Sequence, residues 1–139
     1  MRRRTIIMLA FTLTMGIVMG MLGNRFLSIA QEPVKRTVLF KADLAEIQGK
    51  EGVLVLAQIA PGAATGKHRH SGEEFAYVLE GSVRDEAEGK PPATMKSGDV
   101  FHRPPRQVHD VKNLSTAAPA KVLVFFVADK GQPLTIPVQ

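Results

Sequence analysis

Residues 31–139 are predicted to form an all-β domain, either an antiparallel sandwich or a barrel. Two observations predict this fold class: the apolar runs are short and rich in β-branched and aromatic residues, and glycine or proline separates each run from the next. Regular short strands without helices between them favour antiparallel sheets over an alternating strand–helix fold. A chain of 139 residues is long enough for one such domain and too short for two of ordinary size.

The predicted strands follow from the individual apolar runs. They cover residues 53–59, 75–79, 100–101, 108–114 and 122–127. Residues 42–47 are the one segment that favours a helical turn, because Asp43 can cap its start and Gly49 can end it. The tail, residues 130–139, contains two prolines and is expected to pair along a sheet edge or with a partner subunit.

Composition excludes several classes of site. The chain contains no cysteine, which excludes disulfides, thiolate zinc sites, iron–sulfur clusters and cysteine nucleophiles, so any metal must be held by nitrogen and oxygen ligands. The net charge is +5, but four of the 18 basic residues and none of the 13 acidic ones lie in residues 1–30. The rest of the chain is nearly neutral and lacks a basic stripe, so no nucleic-acid partner is expected.

The first thirty residues have the pattern of a targeting segment. An arginine triplet at positions 2–4 precedes eighteen uncharged residues, 5–22, in the order typical of a signal peptide. Small residues before position 31 provide a cleavage site, and the apolar run is also just long enough for an uncleaved membrane anchor. Residues 1–30 are therefore predicted to be a signal peptide or N-terminal anchor, with membrane contact confined to residues 5–22. Residues 31–139 are expected to be exported, either free in the periplasm or anchored facing it.

Three of the four histidines fall into a pattern with one glutamate. His68 and His70 are two residues apart, so that in a strand both imidazoles point to the same side. Glu74 follows after room for a turn, and a later strand can return His109 to the same point. Taken alone, the two neighbouring histidines would also suit a solvated hairpin, and Glu73 competes with Glu74 for the carboxylate role.

Three imidazoles and one carboxylate suit a single divalent transition metal per chain, whether Fe, Mn, Ni, Zn or Cu. An ion that prefers six ligands keeps two positions for water, dioxygen or a chelating substrate, whereas zinc with these four ligands leaves little open. The residue types therefore indicate a metal site without identifying the ion.

Two motifs in this region resemble those of the cupin superfamily. The first motif is matched at every fixed position by Gly62-x5-His68-x-His70-x3-Glu74-x6-Gly81. The second is matched, with one departure, by Gly98-x5-Pro104-x-Arg106-x2-His109-x3-Asn113. The family has glycine at the position of Arg106, which suggests a different turn here or a cation near the mouth of the barrel.

The resemblance implies a small antiparallel jelly-roll barrel, as in small single-domain bacterial cupins, with a metal ion held inside by His68, His70, Glu74 and His109. Cupins are often dimers, so a homodimer is expected. The resemblance says less about the reaction, because this fold carries oxygenases, isomerases, decarboxylases, sugar-binding regulators and storage proteins.

Strand alternation extends this expectation to the surroundings of the metal. Residues that share the face of Glu74 or His109 should point inward and give a small apolar wall, while Phe75, Tyr77 and Leu79 should face away. Phe125 or Phe126 is expected to close the pocket.

Three functions fit these predictions. The first is an exported, metal-dependent, dioxygenase-like enzyme that acts on a small oxygen-rich, phenolic or enolic molecule, with Glu74 as its catalytic carboxylate as well as a ligand. The second is a non-catalytic module that binds a small molecule or sugar. The third is a barrel in which the ion only stabilises the fold.

Overall fold

The computed structural model describes residues 32–139, and this part of the chain is all-β. Its ten strands are β1 (Val34–Asp43), β2 (Lys50–Ile59), β3 (His68–Arg69), β4 (Glu73–Glu80), β5 (Ser82–Ala87), β6 (Ala93–Lys96), β7 (Val100–Arg103), β8 (His109–Asn113), β9 (Ala120–Asp129) and β10 (Ile136–Pro137).

The strands form two five-stranded antiparallel sheets. The first has the order β1-β2-β9-β4-β7, and the second has the order β10-β3-β8-β5-β6. Apolar side chains from both sheets pack into one core between them, and its most deeply buried members include Val53, Val78, Val83, Ile59 and Ala120. The predicted antiparallel jelly-roll barrel is therefore confirmed.

Alternation along the strands agrees with the prediction. In β4, Glu74, Ala76 and Val78 are buried, while Phe75 and Tyr77 are exposed on the outer face of the sheet. Leu79 is exposed on that face as well. In β8, His109, Val111 and Asn113 are buried. In β9, Phe126 points inward and Phe125 outward, which decides the choice that the sequence left open.

Every predicted strand is present, but the predicted helical turn at residues 42–47 is wrong. β1 continues through Ala42 and Asp43, which pair with Gly52 and Glu51 of β2. A hydrogen-bonded turn then closes the hairpin, with the Leu44 N–H donating to the Lys50 carbonyl at 3.1 Å. The ladder supplies main-chain partners along both strands, so pairing with β2 outweighs the local helical preference.

The tail pairs along a sheet edge, which is one of the two alternatives that the sequence predicted for it. Ile136 and Pro137 of β10 lie opposite Arg69 and His68 of β3. This pairing brings residues 134 and 135 over the interior of the barrel, where both line its cavity.

The predicted signal peptide or anchor lies outside the residues that the structure describes. Within residues 32–139, no helix has the length and apolar character needed to cross a membrane.

Candidate metal site

Two short strands bring the three histidines of the pattern together. β3 and β8 pair through a single register position, at which His68 lies opposite His109. Their ring centroids are 4.2 Å apart, and the His70 ring lies 4.9 Å from His68 and 5.0 Å from His109. All three side chains are buried, and each offers a ring nitrogen within 4.8 Å of the other two.

Glu74 reaches the same point because the chain turns sharply after His70. The turn runs through Gly72, where an added Cβ would lie only 1.8 Å from the carbonyl oxygen of Val127 in β9. Only glycine fits so close to a neighbouring backbone. The carboxylate oxygen Oε2 of Glu74 lies 3.3 Å from Nε2 of His70 and 3.5 Å from Nε2 of His109.

Main-chain carbonyls orient all three imidazoles. Nδ1 of His68 lies 2.7 Å from the Gly66 carbonyl oxygen, and Nδ1 of His109 lies 3.1 Å from that of Gln107. Nδ1 of His70 lies 2.5 Å from the carbonyl oxygen of Leu134 in the tail. A carbonyl only accepts hydrogen bonds, so each ring must carry its proton on Nδ1 and donate it. In the neutral imidazole, Nε2 is then left as an acceptor.

Glu74 is oriented by buried charged side chains instead. Arg103 lies directly opposite Glu74 in the ladder between β4 and β7, and its Nη1 donates to Glu74 Oε1 at 2.7 Å. The other end of the guanidinium, Nη2, donates to Asp85 in β5. Arg103 is only 2 % exposed and lies over the Phe101 ring, so this chain of three charges is shielded from solvent.

The surroundings favour neutral imidazoles at His68 and His109 beside an ionised Glu74. Burial lowers the pKa of His109 to about 3; the nearby Arg103 charge acts in the same direction and Glu74 opposes it. Burial also lowers the pKa of His68. Burial alone would raise the pKa of Glu74, but the neighbouring His70 imidazole and the Arg103 guanidinium outweigh it and lower that pKa to about 2.

This donor set fits a cation. Glu74 Oε2 is buried and receives no hydrogen bond, although it lies among imidazole nitrogens. With Nδ1 committed to a carbonyl, a neutral His70 or His109 presents a lone pair to Glu74 Oε2, and these lone pairs repel unless a proton or a metal cation lies between them. A buried acceptor without a partner is costly, and a divalent ion bound by nitrogen and oxygen removes that cost.

A cavity of about 90 Å³ adjoins the four side chains. Its walls come from both sheets and are mainly small and apolar, including Val55, Ala57, Val122 and Val124, and Phe126 closes one side as expected. Leu134 and Thr135 of the tail also line it. The cavity therefore offers room for a small molecule next to the candidate metal site.

The structure groups the three histidines of the pattern, and Glu74 lies within 3.5 Å of two of them, His70 and His109, although not of His68. Glu73 faces outward, where its carboxylate lies 2.6 Å from Nε2 of the exposed His102. The ligand roles of His68, His70, Glu74 and His109 remain a prediction, which the geometry supports.

Arg106 differs from the sequence-based expectation. Its φ is +67°, so arginine occupies the left-handed conformation of the glycine it replaces, and the turn is not a different one. Its N–H donates to the His70 carbonyl oxygen at 2.9 Å, which ties this turn to the first motif. The side chain is exposed and is not among the residues that line the metal cavity.

Sequence reasoning missed the residues that support the site. Arg103 lies just before a motif proline, Asp85 lies in a charged stretch without an apolar pattern, and the contribution of Leu134 comes from its backbone carbonyl. Only the alternation along β7 could have indicated that Arg103 points inward, because Arg103 lies two residues after the half-buried Phe101 and therefore on the same face of the strand.

The cupin-domain family model matches residues 55–126, just over half of the chain, and the chain therefore belongs to the cupin family. The matched range contains both motifs and all four candidate ligands. Among curated proteins, no significant sequence match is found.

Solved structures show the same fold at low sequence identity. A double-stranded β-helix protein from Klebsiella pneumoniae is 20 % identical, with a TM-score of 0.61 over 84 % of this chain and 94 % of its own. Oxalate decarboxylase from Lactobacillus farciminis is 18 % identical, with a TM-score of 0.62 over 78 % of this chain and 32 % of its own. The DMSP lyase DddQ from Ruegeria pomeroyi is 22 % identical, with a TM-score of 0.57 over 63 % of this chain and 43 % of its own. The chain thus spans less than half the length of the last two proteins.

Proposed function

We propose that this protein is a metal-dependent cupin enzyme that acts on a small oxygen-rich molecule, with dioxygenase-like chemistry as its most concrete form. One observation carries the proposal: three buried imidazoles, two of them beside the unpartnered Glu74 Oε2, converge at a mainly apolar cavity. His68, His70, Glu74 and His109 would hold the ion. When bound, the ion would supply Lewis acidity or, for Fe or Mn, a site for dioxygen.

The residues around the candidate ligands support this proposal, because they orient the ligands and line the cavity. The backbone carbonyls fix the direction of the imidazoles, and Arg103 keeps Glu74 ionised and in place. The apolar walls and the tail exclude water, which strengthens electrostatic interactions with a substrate oxygen. Glu74 is the carboxylate among the described residues that lines the cavity, so the catalytic role proposed for a carboxylate falls to it, in addition to its role as a ligand.

Cavity size favours the smaller members of the expected substrate range. Pockets for drug-sized ligands span roughly 300–1,000 Å³, whereas this cavity measures about 90 Å³. A compact oxygen-rich molecule fits better than a multi-ring phenol. The names of two structural relatives, oxalate decarboxylase and DMSP lyase, also refer to small molecules.

The test is oxygen uptake and product analysis with Fe- or Mn-loaded protein and a panel of small enols, phenols and hydroxy acids. We expect turnover that depends on the metal and that Glu74→Gln abolishes. Glu73→Gln, one residue away on the outer face, is the matched control and should leave turnover unchanged. Unaffected turnover in Glu74→Gln would remove the catalytic role of that carboxylate.

A non-catalytic binding module is the second candidate, and one observation favours it. Among residues 32–139, the titratable residues that line the cavity are the four candidate ligands and Arg36. No separate acid or base is therefore available there. Ligand-induced increases in melting temperature without product, across the same panel, would favour binding over catalysis.

Export to the periplasm, by cleavage after Ala30 or by anchoring through residues 5–22, is part of the proposal and rests on the sequence pattern alone. Mass spectrometry of protein from a bacterial periplasmic fraction should show a chain that begins at Gln31. A chain with an intact N-terminus in the membrane fraction would indicate the anchor instead.

The expected homodimer also remains a proposal. Phe75, Tyr77, Val100 and Phe125 expose apolar surface on the outer face of the first sheet, which a second copy would cover. Analytical ultracentrifugation should give twice the chain mass, and Tyr77→Lys should shift the protein towards monomer.

A further inference from the structure

Among residues 32–139, Arg36 is the one charged residue of the cavity that belongs to neither motif. It lies near the start of β1, at the edge of the first sheet, opposite Ala57 of β2, and both residues line the cavity with the candidate ligands. Val38, two residues further along β1, lines the cavity as well. The side chains of Arg36 and Val38 are both largely exposed, so this face of β1 borders the open side of the cavity, while Lys35 lies on the other face of the strand.

The guanidinium of Arg36 has no ion-pair partner among residues 32–139. Every salt bridge within 4.0 Å in this part of the chain joins other residues, including those of Arg84 and Arg103. Partial burial lowers the pKa of Arg36, and the Glu74 charge opposes this effect, so its positive charge is felt at the metal site. A cation in such a position is free to bind an incoming anion.

The charges around the cavity require such an anion once a metal is bound. The carboxylates of Glu74 and Asp85 carry two negative charges, and the guanidinium groups of Arg103 and Arg36 balance them. A divalent ion then leaves two positive charges around a cavity whose walls are mainly apolar, one of them on the exposed side chain of Arg36. Unbalanced charge in such surroundings is costly, so the complete site favours an anionic ligand over a neutral one.

We infer that Arg36 binds a carboxylate of a small organic anion whose other oxygen function reaches the metal site. This inference rests on the proposed function, because it uses the metal as the second attachment point. The cavity volume limits the ligand to a few heavy atoms beyond the two anchoring groups. Arg36 thus selects small carboxylic acids over the neutral phenols and enols of similar size.

Calorimetric titration of Mn(II)-loaded protein with malonate, and with the neutral isostere malonamide, tests the inference. We expect malonate to bind and malonamide to bind at least ten times more weakly. Arg36→Gln should weaken malonate binding at least tenfold and leave malonamide unaffected, and Arg36→Lys should restore part of the loss. Lys35→Gln removes the same charge from the opposite face of β1 and should change the Kd less than twofold.

Elemental analysis of the same samples separates this inference from the proposed function. Arg36→Gln should retain as much Mn(II) as the wild-type protein, because Arg36 is not a candidate ligand. Malonate binding that is equal in wild type and Arg36→Gln, or weakened equally by Lys35→Gln, would overturn the role of Arg36 while leaving the metal site intact. Absence of Mn(II) from the wild-type protein would overturn the metal site itself. In that case, Arg36-dependent binding of malonate by the metal-free protein would still support the anion site.

Discussion

The two kinds of candidate ligand are positioned by different parts of the molecule. His68, His70 and His109 are oriented by main-chain carbonyls. A carbonyl is present whatever the side chain of the residue that carries it. Glu74 is oriented by the buried side chains of Arg103 and Asp85, which only those residue types supply. The histidine half of the site should therefore tolerate substitution around it, whereas the glutamate half should be sensitive to single changes at a distance.

The largest expected effect comes from Arg103→Leu, which removes the partner of the buried Glu74 carboxylate and of the partly buried Asp85 carboxylate. Breaking a buried ion pair typically costs about 3–5 kcal/mol of unfolding free energy. Urea denaturation of the metal-free protein measures the loss. Arg84→Leu is the matched control, since its pair with Glu86 is half exposed and worth at most about 1 kcal/mol. Equal losses in the two variants would contradict the distinction between the two halves.

Gly72→Ala should have the next largest effect on stability, because it adds a methyl group in the tightly packed turn that joins His70 to Glu74. The added methyl group would lie 1.8 Å from the Val127 carbonyl oxygen, so backbone must move. We expect a loss of about 3 kcal/mol, at the upper end of overpacking, together with weaker metal binding. Gly52→Ala is the control, since its Cβ would meet side chains rather than backbone, the Phe125 ring at 3.1 Å and Leu44 Cδ2 at 3.4 Å. A Gly72→Ala protein with wild-type stability and metal affinity would show that this turn does not set the site.

The pH dependence of stability should separate the two halves, because their groups titrate in different windows. The pKa of His109 falls from 6.5 to about 3 on folding. Between these pH values the unfolded chain binds a proton at His109 and the folded protein does not, so stability falls as the pH falls. Stability of the metal-free protein should drop by about 2 kcal/mol between pH 6.5 and 5 from this group. Glu74, whose pKa falls from 4.5 to about 2, adds a further loss only below pH 4.5.

Denaturation at a series of pH values measures this profile, and two variants divide it. His109→Gln should reduce the slope from pH 6.5 down to about pH 3, and Glu74→Gln should reduce it only below pH 4.5. A profile that rises as the pH falls through 6.5 would contradict the assignment of a neutral His109.

Removal of the tail tests the contribution of the backbone to the histidine half. A chain that ends at Pro133 lacks both β10 and the Leu134 carbonyl that accepts from His70. Loss of such a supporting hydrogen bond typically lowers metal affinity by about 10- to 100-fold, and we expect the lower end, because two imidazoles keep their carbonyl partners. Competition with a chelator measures the affinity, and a chain that ends at Val138 is the control. Unchanged affinity after removal of Leu134 would mean that the tail only covers the cavity.

The smallest expected effect is a gain in stability from Arg106→Gly. A non-glycine residue in the left-handed region costs about 1–2 kcal/mol of stability. Replacing it by glycine removes this cost, but the greater conformational freedom of glycine in the unfolded chain takes back about 0.4–1 kcal/mol. We expect a net gain of about 0.5 kcal/mol by urea denaturation, since φ at Arg106 is +67°. Arg69→Gly, in a β-strand, should destabilise instead. Destabilisation by Arg106→Gly would show that the arginine side chain makes a contribution of its own.

The sequence was sufficient for those features that depend on local pattern. Spacing in two motifs identified the four converging side chains, and parity placed Ala76, Val78 and Val111 inside. The sequence was not sufficient where strand pairing determines the local structure, as at residues 42–47. There the helical preference of a short segment is weaker than the hydrogen bonding of a complete β ladder. β1 and β5 were missed for the same reason: the charged residues of β5 gave it the pattern of a solvated turn.

The supporting shell of the site could not be predicted for a different reason. Asp85 and Arg103 are 18 positions apart, and only the folded barrel brings them together. Arg36 lies 38 positions before Glu74 and reaches the same cavity through the edge strand β1. Charged residues in such a pattern look solvated when each is considered with its sequence neighbours, so long-range pairing leaves no local signal.

X-ray absorption spectroscopy on protein purified with its native metal, together with elemental analysis, tests the central claim most directly. We predict one divalent transition-metal ion per chain, with an absorption fine structure that requires three imidazole ligands and one carboxylate. His109→Gln should remove one imidazole from that spectrum. A chain that binds no ion, or an ion whose spectrum contains no imidazole scattering, would contradict the account.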